Sequence, residues 1–248
     1  DEGQTLKVHI KLDTGMHRIG LMSKEELSTL LRLVNPDKFN VEGIFTHFAT
    51  ADGDDVAFEK QRSLFYEMVG NCKFKYIHCC NSAAMTYHRD EKSNMGRLGI
   101  TMYGCSPNGE EETKFKQVMS LYTKVAMIKK IPAGDKVGYG LTYTAKEDDY
   151  IATLPIGYAD GFIRKNQGRK VYINGKYYEI VGRVCMDQMM VRVDENVKIG
   201  DQVEIFGEHI SLESMAKDLD TISYEVLCLI SKRVPRVYVQ NGQIKELL

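Results

Sequence analysis

The hydrophobic pattern of this chain changes its period once, near residue 110, and that change limits the folds open to it. Before it, short apolar–polar alternations are each followed by a segment with apolar residues at helical spacing. After it, one β-rich run follows another, divided by the turn sequences Pro-Ala-Gly-Asp, Ile-Asn-Gly-Lys and Lys-Ile-Gly-Asp. Alternating strand and helix predicts a parallel sheet covered by helices; strand after strand predicts an antiparallel domain.

In the first part, residues 6–12 alternate with period two and run into a polar loop, 13–20. Ser23-x-x-Glu26 is a capping box for a helix whose Leu27, Leu30, Leu31 and Val34 share a face, and Asn35-Pro36 stops it. Residues 41–48 form the next strand. Asp52-Gly-Asp-Asp55 opens a second helix carrying Phe58, Phe65, Met68 and Val69, closed by Gly70-Asn71. A third strand covers 75–80 and a fourth run 99–103. These make about four of the eight βα units of a closed barrel, so the pattern describes half a barrel with two open sheet edges. The charged stretch 110–114 reads as a hinge, giving a barrel portion at 1–114 and a β domain at 115–248. In the latter, strands are expected at 118–129, 150–154, 169–173, 177–181, 189–193, 202–206 and 236–239, with helices at 212–219 and 223–231.

Net charge is −1 with basic residues spread along the chain, which argues against a nucleic-acid platform. No apolar run approaches the ~20 residues of a bilayer span. Six cysteines (72, 79, 80, 105, 185, 228) follow no zinc or disulfide spacing. Cys79 and Cys80 read as small buried side chains of a strand in a reducing cytosol, and a metal cluster with His78 is disfavoured because strand neighbours point to opposite faces. No metal is expected. The stretch 94–104 sets Arg97 among small residues, where Gly99 and Ile100 can bring bare amides to an anion. Ser82 adds a hydroxyl after the preceding strand. Together they describe a barrel phosphate site, or else ordinary turns.

Eight motifs, in order, resemble the alanine racemases. They are Lys11-Leu-Asp-Thr-Gly-Met-His-Arg-Ile-Gly-Leu21, Thr46-His-Phe-Ala-Thr-Ala-Asp52, Asn81-Ser-Ala-Ala84 and Gly96-Arg-Leu-Gly-Ile-x-Met-Tyr-Gly104. Next come Gly138-Tyr-Gly-Leu-Thr-Tyr-Thr-Ala145, Ile156-Gly-Tyr-Ala-Asp-Gly161, Gly182-Arg-Val-Cys-Met-Asp-Gln188 and Ile230-Ser-Lys-Arg-Val-Pro-Arg236. The resemblance implies an α/β plus β fold, the C-terminal half of a (β/α)8 TIM-type barrel followed by a mostly-β domain. It implies a cytoplasmic, head-to-tail homodimer with pyridoxal 5'-phosphate that interconverts L- and D-alanine, the D-form feeding peptidoglycan. Tyr139 would be one catalytic base and the cofactor's lysine the other. A phenol, with a reference pKa near ~10, serves as a base only where neighbours favour its phenolate. His47 and Arg97 would form that chain, Arg97 facing the pyridine nitrogen. Ser82, Gly99, Ile100 and Tyr224 match the phosphate ligands. Arg18 would hold the substrate carboxylate and the cofactor's phenolic oxygen, Tyr158 and the Met186 backbone would line the substrate, and Asp187 follows in the same motif. Lys11 stands where many relatives carry a carbamylated lysine.

Two departures accompany the resemblance. His17 occupies a loop position where relatives often have glycine. The family's cofactor lysine lies in a motif like Val-Lys-Ala-Asn-Ala-Tyr-Gly, which does not occur among these residues, so the segment is expected to be inactive alone. A non-catalytic chain associating through its β domain, or a serine or broad-specificity racemase, are the alternatives.

Overall fold

The computed structural model describes residues 3–88, 90–112 and 114–247, which form two compact units, Asp1–Met102 and Tyr103–Leu248. In the first, β1 (Leu6–Lys11), β2 (Phe39–Phe45) and β3 (Tyr76–His78) form a parallel sheet in that order. Helices α1 (Lys24–Leu33), α2 (Asp55–Val69) and α3 (Ser82–Tyr87) follow the strands in turn. Their caps are those the sequence specifies: the Ser23 and Asp54 side chains accept from the N–H groups of Glu26 and Ala57, and Gly70 ends α2 with φ 54°. Phe58, Phe65, Met68 and Val69 of α2 are buried against Ile10, Leu12 and Ile44 of the sheet. On α1 only Leu27 is buried; Leu30 is exposed and Leu31 partly covered, so the apolar face is narrower than its spacing predicts.

Residues 99–103, expected as a fourth strand, form instead a 3-10 turn over Ile100–Tyr103. The Met102 N–H bonds to the Gly99 carbonyl at 3.0 Å, so this backbone is satisfied locally rather than by a sheet neighbour. β3 also stops at His78, leaving Cys79 and Cys80 beyond the strand they were expected to occupy.

The second unit begins well before the expected hinge. Within 103–118 the Val118 N–H bonds to the Tyr103 carbonyl (3.0 Å), and Ser106 N–H to the buried Glu213 carboxylate (3.0 Å) and Leu212 N–H to the Gln117 side chain (2.7 Å) tie the stretch to residues C-terminal of it. Thr113 of that hinge lies outside the described residues. The strands are β4 (Leu121–Lys124), β5 (Met127–Ile131), β6 (Lys136–Val137), β7 (Tyr143–Thr144), β8 (Asp149–Leu154), β9 (Lys170–Ile173), β10 (Lys176–Val181), β11 (Met189–Val193), β12 (Gln202–Phe206), β13 (Val237–Gln240) and β14 (Gln243–Leu247). α4 (Leu212–Leu219) and α5 (Ser223–Leu229) precede the last two. Seven strands form an antiparallel sheet in the order β4-β12-β9-β10-β11-β8-β5; β6 pairs β7 and β13 pairs β14.

The expected single run 118–129 therefore breaks at Val125-Ala126, and for a topological reason. β4 and β5 are consecutive yet lie at opposite edges of the seven-stranded sheet, so the sheet must curl until those edges meet. Val125 donates to Asp201 beside β12, and Ala126 to Thr153 of β8: adjacent residues serve opposite edges. Val171, Ile173, Ile180, Met189, Val191, Val203 and Ile205 are fully buried in this unit. Among the described residues no helix is long and apolar enough to cross a membrane.

Phe65→Ala, which empties the centre of the α2 contact, is expected to cost about 3–5 kcal/mol, read as a lowered urea midpoint.

Candidate active site

The first unit gathers its polar residues at the C-terminal ends of the strands, around Arg97. Its guanidinium donates through Nη2 to the Thr46 carbonyl (2.8 Å), and through Nη1 to the carbonyl (3.1 Å) and Nδ1 (2.6 Å) of His78. Nη2 also reaches His47 Nδ1 (3.4 Å) and the Cys79 carbonyl (3.5 Å). The Phe45 ring lies beneath, 5.3 Å from Cζ. The His78 carbonyl also accepts from Thr46 N–H (3.3 Å), so the one cation adds to the pairing of that strand end and supplies a donor to the Thr46 carbonyl at the end of the neighbouring strand.

An arginine can only donate, so both histidine nitrogens facing Arg97 must be unprotonated. Burial first, then the Arg97 charge, pushes the His47 imidazole below its ordinary value. The same two effects and His9 push His78 down to about 4. With Nδ1 accepting, His78 carries its proton on Nε2 and donates to His9 Nδ1 at 2.7 Å. His47 likewise keeps Nε2–H to offer. Sequence reasoning assigned His78 no part in holding Arg97; its position four residues before Ser82, at a strand end, was the available signal.

The residues expected to form an anion cradle hydrogen-bond among themselves. Gly99 N–H donates to Ser82 Oγ at 2.8 Å, and Thr101 Oγ1 lies 3.2 Å from the same oxygen. Ser82 and Ile100 are buried, and Asn81 caps α3 by accepting from Ala84 N–H. Ser82, Gly99 and Ile100 are thus brought together, as expected.

Asp13, which the sequence marked only as a loop polar group, organises the 13–20 loop. Its carboxylate accepts from the amides of Gly15 (2.9 Å), Met16 (3.0 Å), His17 (3.0 Å) and Arg18 (3.1 Å). Burial alone would raise its pKa, but those amides and the Lys11 charge outweigh it and hold the carboxyl below its ordinary value. The loop puts His17 at φ 53°, in the left-handed region that glycine adopts without steric penalty. Leu21 N–H then returns to the Lys11 carbonyl (2.9 Å). Lys11 Nζ donates to Leu12 O at 2.7 Å; burial lowers its pKa, Asp13 opposes, and Arg18 and Arg97 add to the lowering.

In the second unit, Tyr139 is displayed on a turn between β6 and β7 and is 71% exposed. Gly138 and Gly140 flank it at φ 76° and 72°, and a Cβ on Gly138 would come 2.8 Å from Met190 Cε. Tyr158 and Met186 share one crossing: Tyr158 N–H donates to Cys185 O (3.1 Å) and Ala159 N–H to Met186 O (2.8 Å). Buried Asp160 locks it, accepting from Gly157 N–H (2.9 Å) and pairing with Arg233 Nε (2.9 Å). Asp187 N lies 2.6 Å from where a Cβ on Gly157 would stand, so only glycine fits. Tyr224 sits on the first turn of α5.

Residues 1–107 match the family profile described as alanine racemase, N-terminal domain, and residues 118–238 that of alanine racemase, C-terminal domain. Alanine racemase of Ligilactobacillus salivarius is 45% identical over 96% of this chain and 67% of its own length. That of Lactococcus lactis subsp. lactis is 44% identical over 94% and 66%. The crystal structure of alanine racemase from Bacillus anthracis with bound L-Ala-P superposes with a TM-score of 0.92 at 39% identity, covering 100% of this chain and 68% of that one. Alanine racemase of Clostridium difficile 630 gives 0.92 at 40%, over 99% and 68%. The chain spans about two thirds of the length of the relatives it matches.

His78 makes the first unit acid-sensitive. With the folded pKa near 4 against 6.5, its contribution is fully present above pH 6.5 and is lost as pH falls toward about 4. About 3 kcal/mol is expected to go across that window, and His78→Gln should flatten the dependence of the urea midpoint on pH. At the strained loop, His17→Gly is expected to raise stability by roughly 0.5–1 kcal/mol, measured by the same denaturation.

Proposed function

Because this chain belongs to the alanine racemase family, we propose that it takes part in interconverting L- and D-alanine with pyridoxal phosphate as cofactor. The observation that carries this reading is the Arg97 guanidinium, fixed by strand-end carbonyls between two neutral imidazoles. The residues suit that cofactor. The Ser82 hydroxyl and the Gly99 and Ile100 amides would hold the phosphate, with the Tyr224 hydroxyl joining them. Arg97 would face the pyridine nitrogen, and a guanidinium that does not give up its proton there keeps the nitrogen unprotonated. When bound, pyridoxal phosphate supplies the electron sink that makes the substrate's α-proton removable.

The chain's own groups then divide the proton handling. Tyr139 Oη would take or return the α-proton on one face, and the Nε2–H of neutral His47 can hold the phenolate by hydrogen bonding. Arg18 would bind the substrate carboxylate and the cofactor's phenolic oxygen, while Tyr158 and the Met186 backbone would line the substrate side. Desolvation also raises the neutral fraction of the Lys11 amine, which can add to CO2 as its nitrogen releases a proton to solvent. Its carbamate would replace a cation beside Arg18 with an orienting anion. Tyr139 at 71% and Met186 at 59% exposure suit groups that complete a pocket in another subunit, so the assembly proposed is a cytoplasmic homodimer. The three parallel strands with their helices would be the later part of a (β/α)8 barrel. The second base, the cofactor's lysine, is assigned to the part of the family's length that this chain does not span. The product D-alanine would serve peptidoglycan.

Chiral chromatography after incubating the chain with pyridoxal phosphate and L-alanine tests this. No D-alanine is expected from these residues alone, and turnover is expected once the remaining third of the family's length is joined to them. Turnover by the chain alone would overturn the lysine assignment. A joined, folded protein that leaves alanine unchanged would overturn the function.

A further inference from the structure

Behind Arg97 three ligand-type atoms converge that neither the anion cradle nor the proton path uses. Because β3 ends at His78, Cys79 and Cys80 escape strand alternation, and their Sγ atoms lie 3.9 Å apart. Asp90 Oδ2 is 2.8 Å from Cys79 Sγ, and the three atoms all lie within 4.8 Å of one another. Both cysteines are buried, at 0% and 7% exposure, and Asp90 is partly so. Tyr66 Oη donates to the same Asp90 oxygen at 2.6 Å, and Lys92 N–H to the other at 3.2 Å.

We propose that Cys79, Cys80 and Asp90 form a binding site for a thiophilic divalent cation of the zinc type. Two thiolates at about 2.3 Å from a tetrahedral ion stand about 3.8 Å apart. The Sγ–Sγ distance of 3.9 Å matches this. A thiolate and a carboxylate oxygen on one ion stand about 3.5 Å apart, so Asp90 would withdraw by roughly 0.7 Å as the ion replaces the shared thiol proton. Both thiol protons leave to solvent as the ion enters. Two soft sulfurs and one carboxylate favour zinc over magnesium or calcium, whose sites are built of oxygen. Tyr66 would orient the carboxylate from behind, and water would complete the fourth position from the side of partly buried Asp90. The ligands would bring three negative charges to a doubly charged ion, and Arg97, whose Nη2 touches the Cys79 carbonyl at 3.5 Å, offsets the excess.

The site would staple the segment around Asp90 to the end of β3. Arg97 N–H bonds to the Cys80 carbonyl at 3.0 Å, so the same two cysteines position the cation and hold the ion. This inference does not depend on the racemase reading, since its readout is binding.

The test is a titration of the reduced full chain with Co2+, followed by absorbance and by equilibrium dialysis. One ion per chain with a thiolate-to-cobalt charge-transfer band and tetrahedral d–d bands is expected. Cys80→Ala and, separately, Asp90→Asn should each weaken binding by at least 100-fold, and Tyr66→Phe by about 10-fold, with circular dichroism confirming each fold. Absence of the band would overturn the site. So would a band of unchanged strength in both Cys80→Ala and Asp90→Asn, which would place the ion on the other cysteines; Asp90→Asn decides if Cys80→Ala does not fold.

Discussion

One cation closes the strand ends of the first unit. A parallel sheet leaves carbonyls at its C-terminal edge without a next residue to pair them, and a buried carbonyl without a donor is costly. Arg97 supplies donors to Thr46, His78 and Cys79 from a single planar group, which a lysine's point charge could not do. Because arginine only donates, the protonation of everything around it follows. His78 and His47 are held neutral, and His78 must pass its proton outward to His9. The electrostatics of the site and the closure of the sheet are thus one arrangement.

The parts of this structure set by local physics were legible in the sequence. Ser23 and Asp54 cap their helices because a short oxygen side chain answers an unpaired N–H within one turn, and Gly70 stops α2 because a left-handed residue is needed there. That Ser82 and Gly99 would lie together was legible because a hydroxyl after one strand and a glycine after the next were read as neighbours. What was not legible depends on non-local geometry. Residues 99–103 have strand composition, yet their backbone is satisfied by a local turn. Leu30 has helical spacing, yet what covers a helix face is decided by its neighbours rather than its period. Cys79 and Cys80 are buried as their size and composition indicate, but β3 ends one residue before them, so strand alternation does not set the directions of their side chains.

Asp13 and Asp160 do similar work in the two units. Each is a buried carboxylate that accepts backbone amides of a tight segment, and each makes possible a conformation its sequence would not choose alone. Asp13 holds a left-handed histidine in place; Asp160 holds two backbones so close that only Gly157 fits between them. The motifs around these residues therefore carry shape as well as chemistry.

The curled sheet has a consequence for how the second unit is made. Its first strand, β4, has its partner in β12, with Leu121 opposite Phe206 and Lys124 opposite Gln202. Everything between those strands in sequence must be spooled out before that pairing exists, which gives the domain high contact order and slow closure. On a ribosome, β4 would wait with an unpaired edge until β12 emerged. The two-residue joint at Val125-Ala126 shortens that wait in one respect: once β5 docks on β8, β4 is tethered within a few ångströms of the place its partner will fill.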